Sequence, residues 1–104
     1  MNAPNIIRDW GSHRILEDQT QYKVKELVLL GGKSLPIKQY PINKHWFVLK
    51  GECFIETVYL EDPQSIKVSQ GYSYGIEAGV WHLAKNTSDE PCHILEVRYL
   101  PFKE

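Results

Sequence analysis

A chain of 104 residues, 42% of them hydrophobic, holds the apolar material for one core and no second domain. Its 12 basic and 13 acidic side chains are scattered without blocks, and the formal net charge of -1 excludes the electrostatic footprint of a nucleic-acid or anionic-membrane binder. No apolar run approaches the roughly 20 residues that cross a bilayer, and Met1–Ile7 has neither the basic flank nor the apolar stretch of a leader, so the expectation is a cytoplasmic protein.

In chain order, residues 1–7 read as a loose N-terminal segment of a single domain over 1–104. Trp10-Gly11 follows, where an indole can pack on a neighbouring sheet while the chain turns. Tyr22 to Leu30 alternates imperfectly and reads as a strand, with Lys23, Lys25, Leu27 and Leu29 on one face, ended by Gly31-Gly32. Lys23 and Lys25 are expected to be solvated.

Pro36 and Pro41 limit Leu35 to Ile42 to a short or edge strand or an irregular crossing. His45 to Leu49 is a strong strand in which Trp46 and Val48 share one face, and Gly51 turns it into Cys53 to Leu60. Glu61-Asp62-Pro63-Gln64 reads as a turn by composition, Ser65 to Val68 as a short strand, and Asn86 to Pro91 as the turn before a closing strand from Cys92 to Leu100.

Many short strands, turns rich in glycine and proline, and no helical periodicity predict an all-β fold, a two-sheet jelly roll with a ligand mouth between its sheets. Cys53 and Cys92 both lie in apolar strand-like runs, which predicts buried free thiols.

The stretch from Gly71 to Asn86 organises the rest. Gly71, Gly79, His82 and Asn86 stand at the spacing of the second motif of the cupin superfamily, which this segment resembles, except that the family's proline two places before the second glycine is Glu77 here. Tyr72 and Tyr74 are expected as wall residues. Arg8-Asp9-Trp10-Gly11, Tyr22 to Leu27, His45-Trp46-Phe47-Val48 with Gly51, and Leu95-Glu96-Val97 add further landmarks. Together they resemble the C-terminal cupin domain of type II phosphomannose isomerases, a domain often fused to a GDP-mannose pyrophosphorylase. That resemblance implies a cupin-type double-stranded β-helix and a metal-dependent aldose–ketose interconversion of a hexose phosphate, in nucleotide-sugar and polysaccharide synthesis.

The first cupin motif departs from the family pattern. It normally supplies two histidines and a glutamate, and in the register set by Gly51 the glutamate position is Lys44 while the histidines fall near Gln39 and Pro41. A lysine ammonium has no lone pair and proline has no ligating side chain, so His82 is the only retained ligand position. No cofactor is expected, and a divalent metal only if the degenerate site is rescued from elsewhere.

Two classes of function stay open. In the first the chain binds a sugar or sugar phosphate without turning it over; in the second it is an isomerase of the mannose 6-phosphate type with an atypical or absent metal. For the second, His82, Glu96 and Lys44 are the catalytic candidates, His82 as acid/base and Lys44 in place of the metal's charge. Arg8, Lys25, Gln39, Trp46 and Arg98 are candidates for gripping the substrate. The bland alternatives are a Glu96 ion pair with Lys44 or Arg98, a His82 that merely hydrogen-bonds, and Trp10, Trp46 and Trp81 as core or interface rather than sugar-stacking residues. A structural homodimer module is the third possibility, since the edge strand at Leu35 to Ile42 needs covering.

Overall fold

In a computed structural model that describes residues 4–100, nine antiparallel strands form two sheets. They are β1 (Ile6–Arg8), β2 (Gly11–Asp18), β3 (Tyr22–Leu29), β4 (Asn43–Lys50), β5 (Glu52–Tyr59), β6 (Asp62–Ser69), β7 (Ser73–Ile76), β8 (Trp81–Lys85) and β9 (Cys92–Tyr99). The larger sheet runs β1-β2-β3-β9-β4-β7 and the smaller β6-β5-β8, the two-sheet jelly roll that the strand spacing predicts. Leu27, Leu29, Trp46, Val48, Cys53, Ile55, Ala84, Cys92 and Ile94 are among the residues that fill the space between them.

Period-two alternation places the site. Along the inner face of the large sheet, register aligns Leu27 of β3, Ile94 of β9 and Val48 of β4 in one cross-strand row. The next row is Lys25, Glu96 and Trp46, and the row beyond is Lys23, Arg98 and Lys44. The inner face thus changes from hydrocarbon to charge within two steps along the strands. Both cysteines lie in the apolar part as buried free thiols.

Several local expectations are corrected. A strand over Gly11–Asp18 was not predicted because its inward positions begin with Gly11 and His13, so no apolar alternation marks it. Strand β1 begins inside the segment expected to be loose. The turn expected at Glu61 to Gln64 is instead Leu60-Glu61, both at positive φ (49° and 65°), as a two-residue hairpin turn requires. Asp62 and Pro63 belong to β6, where proline is tolerated because β6 is an edge strand. Tyr72 is 71% exposed in the turn before β7, whereas Tyr74 packs on the core.

The proline-bearing segment after β3 is an irregular crossing laid against β8. Two isolated bridges, Ser34 with Lys85 and Lys38 with His82, mark its path. Main-chain bonds from Leu35 N–H to the Ala84 carbonyl (2.9 Å) and between Lys38 and His82 in both directions (3.0 and 2.9 Å) hold it there.

Gly51 joins β4 to β5 at φ 85°, and a Cβ there would stand 2.7 Å from the Pro91 carbonyl oxygen. Glycine is therefore required both for the conformation and for the approach. Asn86 ties the far loop down: its side-chain amide donates to the Leu29 and Glu90 carbonyls (2.9 and 2.8 Å), and its Oδ1 accepts from the Ser88 amide (3.0 Å). The motif asparagine is thus a buried clamp on the turn between β8 and β9.

Candidate functional site

Between the charged rows of the large sheet, the crossing segment and β8 lies a cavity of about 380 Å³. Its lining includes Arg8, Lys25, Lys38, Lys44 and Arg98 against one carboxylate, Glu96. Trp10, His13, Tyr40, Trp46 and His82 supply most of the remaining polar and aromatic surface.

Glu96 is the centre of a closed network. Its Oε1 accepts from the Trp46 indole N–H at 2.8 Å and lies 3.3 Å from Lys44 Nζ, while Oε2 accepts from Arg98 Nε at 3.0 Å. The side chains of Lys44 and Glu96 are 4% and 3% exposed, so this is a desolvated ion pair. Burial pushes the Glu96 carboxyl up, but Lys44, Arg98 and the indole bond together outweigh it and hold the group below its ordinary range. Burial likewise pulls the Lys44 ammonium down to about 8, with Glu96 pulling it back and Arg98 adding to the fall.

His82 completes the group. Its Nδ1 lies 2.8 Å from the Val80 carbonyl, which can only accept, so Nδ1 carries the proton and Nε2 presents its lone pair. That lone pair accepts from Lys44 Nζ at 2.8 Å. Desolvation lowers the His82 pKa, the Val80 bond opposes the fall and the Lys44 charge deepens it, so the ring is neutral. Two rings also receive Lys44 Nζ: Tyr40 at 4.4 Å and Trp46 at 5.3 Å from their centroids. Arg98 Cζ stands 4.7 Å from the same Tyr40 centroid.

Of the residues singled out from sequence, Lys44, His82, Glu96, Arg98, Arg8, Lys25 and Trp46 line one cavity. Gln39 does not: it is exposed and donates to the Gly79 carbonyl at 2.7 Å. Counting back from Gly51 as though the chain were a regular strand put Gln39 and Pro41 inside, but the irregular crossing sends Lys38 and Tyr40 there instead. Those two were missed. Lys25, expected to be solvated, faces the cavity, and desolvation followed by the Arg98 charge lowers its pKa. Trp81 is 45% exposed on the opposite side of β8 from His82, while Trp10 lines the cavity and stacks on His13 at 6.0 Å.

Residues 2–103 match the family described as the mannose-6-phosphate isomerase C-terminal domain. The chain belongs to that family. The chain is also similar to mannose-1-phosphate guanylyltransferase 2 of Escherichia coli O157:H7, 26% identical over 77 residues, a match that covers 69% of this chain and only 16% of that protein. In fold the domain is similar to CapF, the capsular polysaccharide assembling protein of Staphylococcus aureus, at TM-score 0.86 and 16% identity over 99% of this chain and 30% of that one. Oxalate decarboxylase of Lactobacillus farciminis aligns at TM-score 0.85 and 15% identity over 98% of this chain and 32% of that one. The cupin domain of Schizosaccharomyces pombe Cnp3 aligns at 0.77 and 11% identity over 86% of this chain and 61% of that one. The fold is that of the cupin domains.

A divalent metal, which this fold often holds, does not fit the donors present. His82 Nε2 is engaged by an ammonium, and the one carboxylate beside it among the described residues, Glu96, is already paired with Lys44 and Arg98 and hydrogen-bonded to Trp46. Among the described residues, no group of three or more His, Cys, Asp or Glu side chains is placed to hold an ion. A cation of the protein's own, the Lys44 ammonium, stands where such donors would converge.

Proposed function

We propose that this domain is a metal-independent receptor for an anionic sugar, a hexose phosphate, serving nucleotide-sugar or polysaccharide metabolism. The carrying observation is the charge of the cavity: among the described residues, five cationic side chains stand against one carboxylate. Glu96 is neutralised by Lys44 and Arg98, so Arg8, Lys25 and Lys38 are left to meet a phosphate, and none of the three makes an ion pair among the described residues. A volume of about 380 Å³ falls in the range of small-ligand sites, and Trp10 and Tyr40 offer rings for a sugar face. The family's name and the two sugar-linked relatives support a hexose phosphate over other small anions.

Titration calorimetry with mannose 6-phosphate, mannose 1-phosphate and mannose tests this reading. Binding of a phosphorylated sugar that weakens with salt, is about 10-fold weaker in Lys25→Gln, and is absent for free mannose is the expected result. Equal heats for mannose and its phosphates would refute it.

The Lys44, His82 and Glu96 cluster supports a second reading, an isomerase-type proton transfer in which Lys44 supplies the positive charge facing an enediolate. Release of fructose 6-phosphate from mannose 6-phosphate, abolished in His82→Gln and unaffected by chelators, would establish it.

A further inference from the structure

We propose that Lys44 Nζ forms a reversible imine with the open-chain aldehyde of a phosphorylated aldose held in the cavity. The inference rests on the hexose-phosphate reading above and adds a covalent step to it.

An amine that attacks a carbonyl needs exclusion of bulk water, an acceptor for its proton and a grip on the substrate away from the carbon attacked. Lys44 has all three. Its side chain is 4% exposed and faces the cavity. The acceptor is His82 Nε2 at 2.8 Å, whose lone pair is aimed at Nζ because Nδ1 donates to Val80. Arg8, Lys25 and Lys38 face the same space and can hold a phosphate while the aldehyde end reaches Nζ.

The step balances without an added reagent. Nζ passes one proton to His82 Nε2, and its freed electron pair bonds to the aldehyde carbon as the carbonyl π pair moves to oxygen. A second proton moves from nitrogen to that oxygen, giving a carbinolamine. The nitrogen pair then expels the hydroxyl group, which leaves as water with the proton held on His82. One ammonium and one aldehyde thus give one protonated imine and one water, and hydrolysis reverses it. Because the nitrogen is positive before and after, Glu96 Oε1, 3.3 Å from Nζ, keeps its counter-charge and the buried pair is not broken. Ion pairing and nucleophilic use of this lysine are therefore compatible.

The experiment is reductive trapping. The protein is incubated with erythrose 4-phosphate, which cannot close a six-membered ring, or with mannose 6-phosphate, in cyanoborohydride, and followed by intact mass and peptide mapping. Expected is one reduced adduct per chain on Lys44, formed at least about 10-fold faster than on any other lysine and slowed about 100-fold in His82→Gln. Lys44→Arg, which keeps a cation beside Glu96, should lose that adduct while its slow surface labelling is unchanged. Sorbitol 6-phosphate, which has the charge but no carbonyl, should protect Lys44. Adducts spread equally over the lysines, in wild type as in Lys44→Arg, would overturn the imine. If sorbitol 6-phosphate then still raises the melting temperature, the binding reading stands and only the covalent step falls; if no sugar phosphate shifts it, both fall.

Discussion

Lys44 Nζ lies 2.8 Å from His82 Nε2, on the lone pair that an imidazole in this fold would otherwise offer to a cation. The contact follows from one residue type at one register position. Lys44 shares the inward face of β4 with Trp46, and across the cavity His82 begins the inward positions of β8. The lysine supplies fixed positive charge without the deprotonated ligand set that a metal demands.

The proposed metal independence can be tested through that contact. Chelators are expected to leave the melting temperature of the wild type unchanged, and millimolar manganese or zinc to leave it unchanged as well. Lys44→Glu puts a carboxylate beside His82 and Glu96, and should make stability respond to the ion. At about 100 times Kd the gain is about 2.7 kcal/mol, read as a rise in the urea midpoint.

Breaking the buried pair should be costly. Lys44→Met leaves Glu96 with Arg98 and Trp46 but without its nearest ammonium, and a loss of about 3 kcal/mol is expected by urea denaturation. Glu96→Gln alone strands the ammonium instead. The double variant should fall short of the summed losses by about 1–3 kcal/mol, because each single change already removes the shared interaction. Strict additivity would show that the two side chains do not interact.

Stability should depend on pH in two windows. The folded state releases the Lys44 proton at about 8, while the unfolded chain keeps it to the ordinary lysine value of 10.5. Between those values the unfolded state binds more protons, so stability rises with pH there, and Lys44→Met should flatten the rise. On the acid side His82 and His13 are both held below their ordinary 6.5, chiefly by burial. Below 6.5 the unfolded chain protonates first and stability falls, less steeply in His82→Gln. Denaturant midpoints from pH 5 to 10 measure both limbs.

Asn86→Ala should destabilise without touching the cavity. The buried amide satisfies the Leu29 and Glu90 carbonyls and the Ser88 amide, and its removal leaves them short of partners. A loss of about 2–3 kcal/mol is expected, with sugar-phosphate affinity unchanged at a temperature where the variant remains folded.

The fold was legible because its cues are short-range. Alternation in His45 to Leu49 and Cys92 to Leu100, with turns at Gly51 and Gly71, fixes strands whose inward residues can be named. The same alternation brings Lys44, Trp46, Glu96 and Arg98 to one face. Lys38 and Tyr40 were hidden because two prolines break the period on which counting depends. His13 and Gly11 hid β2 for a related reason, since a strand whose inward positions border a polar cavity loses the apolar signal that marks it. The crossing register and the His82 tautomer depend on long-range contacts that no local pattern encodes.

The crossing segment that carries Leu35, Pro36, Lys38 and Tyr40 contributes only isolated bridges to β8 and is otherwise outside the two ladders. The pocket is therefore bounded on this flank by a single thickness of chain whose side chains are free of the period-two rule. Length and composition there can vary without re-registering any strand, so a new ligand preference is open to this scaffold through one loop while the sandwich itself is left as it is.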